Sequence, residues 1–168
     1  MKNISGVWGS VLLTAGLLHS PSAEAVDMLF TGRLITAPRC TLTTEPITVR
    51  YGLVDVDKLA QPGKHYYEQE VIYSPQCVNL TYQDAYTVEL LMVGAPANFD
   101  NRYLATDVEG LAIQMQLSNN TVMSVNKAWT NKDPRNWPSL YALLVKDPKV
   151  KLDTGTFKAS ATMVILVQ

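Results

Sequence analysis

The sequence predicts an all-β fold, a sandwich or barrel of short strands that forms one mature domain. Apolar and polar residues alternate along much of the chain, which is the pattern of half-buried strands, and long stretches with helical periodicity are absent. Gly, Pro and Asn residues separate the alternating stretches at short intervals, as they do in sandwiches and barrels. The chain has 168 residues and is 47% apolar, which suffices for the core of one domain.

The predicted strands follow one another along the chain. The first alternating stretch lies between residues 28 and 34, and the second covers residues 47–51. The other predicted strands are residues 70–73, 78–82, 87–93, 111–117, 122–125, 141–145 and 157–168. Residues 87–93 are apolar almost throughout, which predicts a strand that is buried on both faces.

The segment 126–139 is polar and contains two prolines and two tryptophans, so it is predicted to be a loop with at most a little helix. Its Trp129 and Trp137, together with Tyr141, allow two interpretations. They form a sugar-binding platform, or they cap the open end of the sandwich. The second interpretation is favoured, because large aromatic side chains are usually buried against a core.

The first 25 residues have the features of a secretory signal peptide. Lys2 is followed by an apolar run from Val7 to Leu18, and a polar tail ends in the small residues Ala23 and Ala25. A membrane-anchoring helix is the alternative, but the apolar run is short for a bilayer span. We expect cleavage after Ala25.

The two cysteines, Cys40 and Cys77, lie in the mature part of the chain. In an oxidising compartment such a pair most simply forms one disulfide. A zinc site needs about four ligands, and the mature chain has one histidine, His65. A reactive thiol is the remaining alternative. The sequence therefore predicts one disulfide.

Composition argues against several classes of function. The formal net charge of −1 gives no basic excess for phosphate contacts, so no nucleic-acid partner is predicted. A Ser-His-Asp arrangement needs a histidine base, and His65 stands alone in a predicted loop. The acidic residues are scattered along predicted loops, where they usually serve solvation. We expect no enzyme activity, no catalytic residue, no metal and no cofactor.

The two ends of the mature chain carry apolar residues on strand-like segments. Six residues of the last segment share one face, and Val164 and Leu166 add apolar side chains to the other face. The six are Phe157, Ala159, Ala161, Met163, Ile165 and Val167. A terminal strand paired inside a complete sheet is one explanation. An uncovered apolar edge would instead be an aggregation hazard, and some partner would have to cover it.

These segments resemble a known family, the chaperone–usher fimbrial subunits, or pilins. Residues 26–41 resemble the start of its mature subunits, which run apolar-x-Phe-x-Gly-x-Leu, then Pro, then Cys and Thr. Residues 47–52 are similar to the family strand Ile-x-Val-x-Phe-Gly, and residues 155–161 to its signature Gly-x-Phe-x-Ala-x-Ala. The short N-terminal segment is similar to that of minor and adaptor subunits of P pili and type 1 fimbriae. Val167 departs from the Tyr that is common at this position.

The resemblance implies an incomplete immunoglobulin-like β-sandwich that lacks its seventh strand, with the Cys40–Cys77 disulfide joining the first strand to the second. Residues 26–36 would be a donor-strand arm, and residues 37–168 the incomplete sandwich. The arm would insert one face into a neighbour's groove, with Gly32 where the groove is crowded. The donor residues would be Met28, Phe30, Gly32 and Leu34. The acceptor side would be formed by Phe157, Ala159, Ala161, Met163, Ile165, Val167 and Gln168, with Leu90, Met92 and Ile113 as core neighbours.

The function implied is that of a structural subunit that polymerises by donor-strand complementation and exchange and contributes to bacterial adhesion. Its partners would be a periplasmic chaperone, an outer-membrane usher and neighbouring pilin subunits, with the carboxylate of Gln168 docked on a basic pair of the chaperone. The chain would pass through the periplasm to a cell-surface fimbrium, without a membrane span. The alternative is a self-contained secreted β-sandwich with a lectin-like binding function. The position in the pilus and any receptor stay open.

Overall fold

The computed structural model describes residues 26–42, 45–59 and 67–168. The predicted signal peptide, residues 1–25, and His65 lie outside the described residues. The chain divides into two compact units, Met1–Arg33 and Leu34–Gln168. In the first unit, residues 26–33 form no helix or strand.

The second unit consists of short antiparallel strands, which confirms the all-β prediction. Within the described residues the strands are β1 (Arg39–Thr41), β2 (Glu68–Val71), β3 (Gln76–Val78), β4 (Val88–Gly94), β5 (Leu104–Ala105), β6 (Leu111–Leu117), β7 (Val122–Met123), β8 (Trp129–Asn131), β9 (Leu140–Lys146) and β10 (Ala161–Val167). A one-turn helix α1 (Val56–Leu59) and a 3-10 helix (Leu80–Ala85) complete the list. The longest strands coincide with the segments whose apolar pattern is clearest in the sequence.

Within the described ranges the strands pair into three sheets, and the two larger sheets share the main core. One sheet has the order β2-β9-β6-β5 with β7 also beside β6, a second has the order β10-β4-β8, and β1 pairs with β3. The main core combines residues of the first two sheets, such as Leu90 and Met92 of β4 with Leu117 of β6 and Leu140 of β9. Burial of such side chains is the principal stabilising term of a sandwich.

Strand β4 differs from its prediction. Val88, Leu90 and Met92 are buried, whereas Leu91 is half-buried and Val93 is 44% exposed. The prediction of burial on both faces is therefore wrong. Its sheet covers the core with one face, so the apolar residues of the other face lie at the surface.

Cys40 and Cys77 form the predicted disulfide, with 4.1 Å between their Cα atoms. They are opposite each other in the β1–β3 pair, so the disulfide joins the first strand of the sandwich to β3. The predicted strand 78–82 is wrong beyond Val78. Asn79 has a φ of 61°, which ends the strand, and the 3-10 helix begins at the next residue.

The segment 126–139 is not a loop throughout, because Trp129–Asn131 pair with Val88–Leu90 as β8. Trp129 and Trp137 are half-buried and pack against the main core, as the capping interpretation predicts. The indole nitrogen of Trp137 donates a hydrogen bond to the carbonyl of Pro134 at 2.9 Å, and its ring meets the ring of Tyr73 edge-on at 6.2 Å. These contacts give both tryptophans a structural role.

Candidate acceptor groove

The second sheet ends at β10, and the chain just before β10 has no neighbouring strand. On one side, β10 pairs with β4 over its whole length, and the backbones of Thr87 and Gln168 extend that ladder to the last residue. Residues 155–160, which lead directly into β10, form no strand with any described segment, and neither do residues 46–54. These two segments therefore carry strand-like sequences without the partner that a strand needs.

An open groove lies along these two segments. It consists of a first pocket of about 610 Å³ and a second pocket of about 1040 Å³. Val49, Tyr51 and Phe157 line both pockets, so the two pockets are adjacent parts of the groove.

The floor of the first pocket is the core of the sandwich itself. It includes buried core residues of both sheets, among them Val71, Met92, Leu104, Met115 and Ala142. The core is therefore open to solvent at this groove. An extended chain with apolar side chains at alternate positions would complete it.

Several of the predicted acceptor residues line the groove. Phe157, Ala159, Ala161 and Met163 line the first pocket, and the small side chains of Ala159 and Ala161 are exposed beside it. Lys158, between Phe157 and Ala159, donates its backbone N–H to the carboxylate of Asp107 at 2.7 Å, and its carbonyl accepts the backbone N–H of Asp107 at 3.0 Å. These two bonds hold the segment against the loop that contains Asp107.

The last predicted acceptor residues lie outside both pockets. Ile165 packs against the main core, Val167 is half-buried at the end of β10, and Gln168 is exposed. Of the predicted core neighbours, Leu90 and Met92 are buried, and Ile113 lines the first pocket.

A pair of aromatic rings stands where the two pockets meet. The ring centroids of Tyr51 and Phe157 are 5.8 Å apart. The hydroxyl oxygen of Tyr51 is buried and has no hydrogen-bond partner in the part of the chain that the structure describes. Burial raises the pKa of Tyr51 well above its usual value, so this hydroxyl stays protonated at neutral pH.

The second pocket was missed by the sequence analysis. Val54, just before α1, and Val56, at the start of α1, line this pocket. Val150 and Leu152, in the segment that precedes Phe157, also line it. Val150 and Leu152 stand at alternate positions shortly after Pro148, and this alternation is a sequence signal for a segment with one apolar face. Tyr51 was placed in a strand but was not assigned to the groove.

The predicted donor residues are exposed. The side chains of Met28, Phe30 and Leu34 are 73%, 82% and 101% exposed. A Cβ atom added to Gly32 would meet no atom within 4 Å, so no described contact within this chain requires a glycine there.

Comparison with known sequences now decides the family. A model of the family described as fimbrial protein matches residues 28–168. The chain belongs to the fimbrial protein family. It is 28% identical to the fimbrial-like protein YfcQ of Escherichia coli strain K12, over 90% of this chain and 94% of that protein. It is 26% identical to the fimbrial-like protein YfcR of the same strain, over 98% of this chain and 94% of that protein.

Solved structures of pilus subunits have the same fold as this fimbrial protein. The P pilus rod subunit PapA matches with a TM-score of 0.54 at 21% identity, over 77% of this chain and 99% of that one. A chain from the structure of a chaperone–usher pilus matches with a TM-score of 0.55 at 19% identity, over 89% of this chain and all of that one. Together with the open groove and the disulfide, these matches confirm an incomplete immunoglobulin-like sandwich.

The family identifies the chain as a pilus subunit. Among the described residues, no helix combines the length and apolar character needed to cross a bilayer. Nor do His, Cys, Asp and Glu side chains of the described ranges gather in groups of three or more that could hold a metal ion.

Proposed function

We propose that this fimbrial protein polymerises by donor-strand complementation. The groove accepts the N-terminal arm of a neighbouring subunit, and residues 26–36 of this chain enter the groove of the next. The observation that carries this proposal is the open groove whose first pocket has the sandwich core as its floor and whose flanking segments lack a strand partner. Donor-strand pairing of pilins is itself a standard instance of β-strand addition to an open sheet edge.

The arm has the residues that such a groove requires. Phe30 and Leu34 lie on one face of an extended chain, and full burial of such side chains stabilises a complex by about 1.5–3 kcal/mol each. Each main-chain hydrogen bond along the groove adds about 0.5–1.5 kcal/mol. Gly32 lies between the two side chains and lets the backbone approach the groove closely. The inserted strand thus supplies both the missing apolar residues and the missing ladder.

The same proposal covers the route to the cell surface. Signal peptidase removes residues 1–25, and a periplasmic chaperone fills the groove until an outer-membrane usher exchanges it for the arm of the next subunit. The Gln168 carboxylate docks on the chaperone during this stage. The assembled fimbria is extracellular and contributes to adhesion, and the role of this chain is structural, without catalysis.

A synthetic arm peptide tests the proposal. The mature chain, residues 26–168, is unfolded in guanidinium and refolded with excess peptide of residues 26–36, then followed by thermal unfolding and size-exclusion chromatography. We expect aggregates or polymers without peptide and a folded monomer with it. A peptide present at a hundred times its dissociation constant stabilises the fold by about 2.7 kcal/mol.

Two peptide variants supply the matched control. Phe30→Asp changes the inserted face and should abolish the stabilisation. Leu29→Asp changes the opposite face of the extended peptide and should leave most of the stabilisation. It is a matched control because Leu29 is about as exposed as Phe30 in the arm. A mature chain that melts cooperatively as a monomer and ignores all three peptides would contradict donor-strand complementation and favour a self-contained binding module.

A further inference from the structure

The main-chain groups of β10 point alternately to its two edges. Thr87 and Gln168 exchange both of their backbone hydrogen bonds, at 2.8 and 2.9 Å, so Gln168 directs its N–H and its carbonyl to the chain that forms β4. In an antiparallel ladder every second residue has this orientation. The even-numbered residues of β10 therefore bond to β4, and the odd-numbered residues direct their N–H and carbonyl groups to the other edge. No strand of the described residues pairs with that edge.

The same alternation continues into the segment that precedes β10. The carbonyl oxygen of Ser160 lies beside Gly94, 3.5 Å from the position of a Cβ atom built on that glycine. Both main-chain groups of Lys158 bond to Asp107, the N–H to the carboxylate at 2.7 Å and the carbonyl to the backbone N–H at 3.0 Å. With these two residues turned to that side, the main-chain groups of 157 and 159 are directed to the open edge.

Strand β4 does not extend along this segment. Its last residue, Gly94, is opposite Ala161, and the chain that follows β4 forms a bridge with β5 instead. Asp107 thus supplies to Lys158 the two hydrogen bonds that a longer β4 would have supplied.

The loop that contains Asp107 is itself fixed to the sandwich. The hydroxyl of Thr106 donates to the carbonyl of Leu111, at the start of β6, at 2.8 Å. The same hydroxyl accepts the backbone N–H of Val108 at 3.1 Å. Asp107 stands between these anchored residues, so its carboxylate is a firm support for the segment that it holds.

We propose that Asp107 is a positioning residue for the inserted strand: by holding Lys158 it keeps residues 157–160 extended, so that the open edge runs unbroken from Phe157 to Val167. The inference rests on donor-strand complementation as proposed above. Strand β10 alone offers seven residues to a partner, whereas residues 157–167 offer eleven, which is the length of the proposed arm, residues 26–36. Phe157 and Ala159 line the first pocket, so a strand that bonds to them lies over this pocket.

The carboxylate of Asp107 acts on affinity through the order of the segment. Residues 155–160 pair with no strand in the part of the chain that the structure describes. Without the carboxylate, the segment would have to become ordered when the strand arrives, and the entropy lost in that step weakens binding. The strand would then keep its bonds to β10 and lose those to the preceding residues.

Amide hydrogen exchange of the peptide-bound protein, followed by NMR, tests this inference. The mature chain carries Phe30→Asp and Leu34→Asp in all samples, so that its own arm does not compete, and it is refolded with excess peptide of residues 26–36. We expect the peptide to protect the odd-numbered amides between 157 and 165, because the strand accepts hydrogen bonds from them.

Asp107→Ala should change the two parts of this edge differently. The amides of Phe157 and Ala159 should gain at least ten-fold more in exchange rate than those of Met163 and Ile165, because β4 still holds the latter two. The peptide, titrated by fluorescence anisotropy, should bind at least five-fold more weakly. Asp107→Asn retains an acceptor oxygen and should lie between the two proteins.

The control is Asp133→Ala, which removes a carboxylate that accepts the backbone N–H of Arg135 at 3.2 Å and lines neither pocket. It should leave both readouts unchanged. The inference is overturned if Asp107→Ala speeds exchange of all four amides by the same factor, as a general loss of stability would, or changes none of them. If this variant does not fold, Asp107→Asn gives the same comparison. If the groove with Asp107 intact does not bind the peptide, donor-strand complementation itself fails.

Discussion

Replacing Cys40 and Cys77 together by alanine removes the cross-link between the first strand of the sandwich and β3. The two cysteines are 37 positions apart in sequence. For a loop of this length, the chain-entropy relation gives an entropy loss of about 13 cal/mol/K in the unfolded chain, or about 4 kcal/mol at room temperature. Since small domains are stable by about 5–15 kcal/mol, the double variant should lose a large part of its stability.

The local structure adds a second effect on the groove. The β1–β3 ladder comprises three residue pairs, with Cys40 opposite Cys77 in the middle, and a ladder this short is weak without a cross-link. The groove wall at residues 46–54 follows β1 closely in the chain. When β1 detaches, this wall loses its anchor, and the arm peptide should bind at least ten-fold more weakly than it binds the oxidised protein.

Guanidinium unfolding of the peptide-saturated protein measures the first effect, with the linear extrapolation giving the free energy of unfolding. Reduced unmodified protein is the control and should behave as the double variant does. A loss of less than about 1 kcal/mol at an unchanged denaturant slope would refute the reasoning, because the cross-link would then not be what constrains this loop. Unchanged peptide affinity would refute the link between β1 and the groove.

Two further predictions concern the body of the domain. The amide of Asn126 bonds both the N–H and the carbonyl of Gly94, at 3.1 and 2.9 Å, while Asn126 itself has a φ of 58°. Asn126→Ala should therefore lower the free energy of unfolding, measured with denaturant, by about 1–2 kcal/mol. Asn126→Gly should lower it less, because glycine adopts a positive φ more easily than alanine does. Equal losses for the two variants would show that the positive φ of residue 126 does not contribute. Burial raises the pKa of Tyr73 to about 12, so its hydroxyl ionises more readily in the unfolded chain, and the free energy of unfolding should fall as the pH rises above about 10. Tyr73→Phe should reduce this slope, and an unchanged slope would contradict the burial argument.

The strands that sequence predicts well are those whose partners lie within the same chain. Residues 111–117 and 141–145 alternate or are apolar throughout, and they pair with each other as β6 and β9. Such segments bury their apolar faces in the core, so pattern and structure agree. The disulfide was also predictable, because two cysteines in a chain with a predicted signal peptide leave few alternatives.

Other features depend on information that an apolar pattern does not contain. Strand β8 lies in a polar segment and forms because β4 offers it a free edge, which is a tertiary effect. The strand predicted after Val78 is ended by the backbone conformation of Asn79. The second pocket involves segments that are distant in sequence, and only the fold brings them to one groove.

At three segments the sequence predicts a strand that the structure does not have, and this difference supports the proposed mechanism. Residues 28–34, 47–51 and 157–160 have the sequence patterns of strands, yet none of them is a strand in the structure. A β-pattern without a β-strand means that the side chains are suited to a sheet and the backbone partner is missing. Two of these segments flank the groove, and the third is the exposed arm that we propose to fill it.

Insertion of the arm of one copy into the groove of another would explain why all three segments have strand-like sequences. The arm then gains a ladder, the flanking segments gain the neighbour that their sequences fit, and the core residues at the floor of the groove are covered. One end of such a fibre retains an empty groove and the other a free arm, so the same contact repeats along the fibre without closing. An isolated subunit, in contrast, exposes both an apolar groove and an apolar arm, which is a hazard for aggregation. The groove must therefore be covered from the time the chain folds until the next arm arrives.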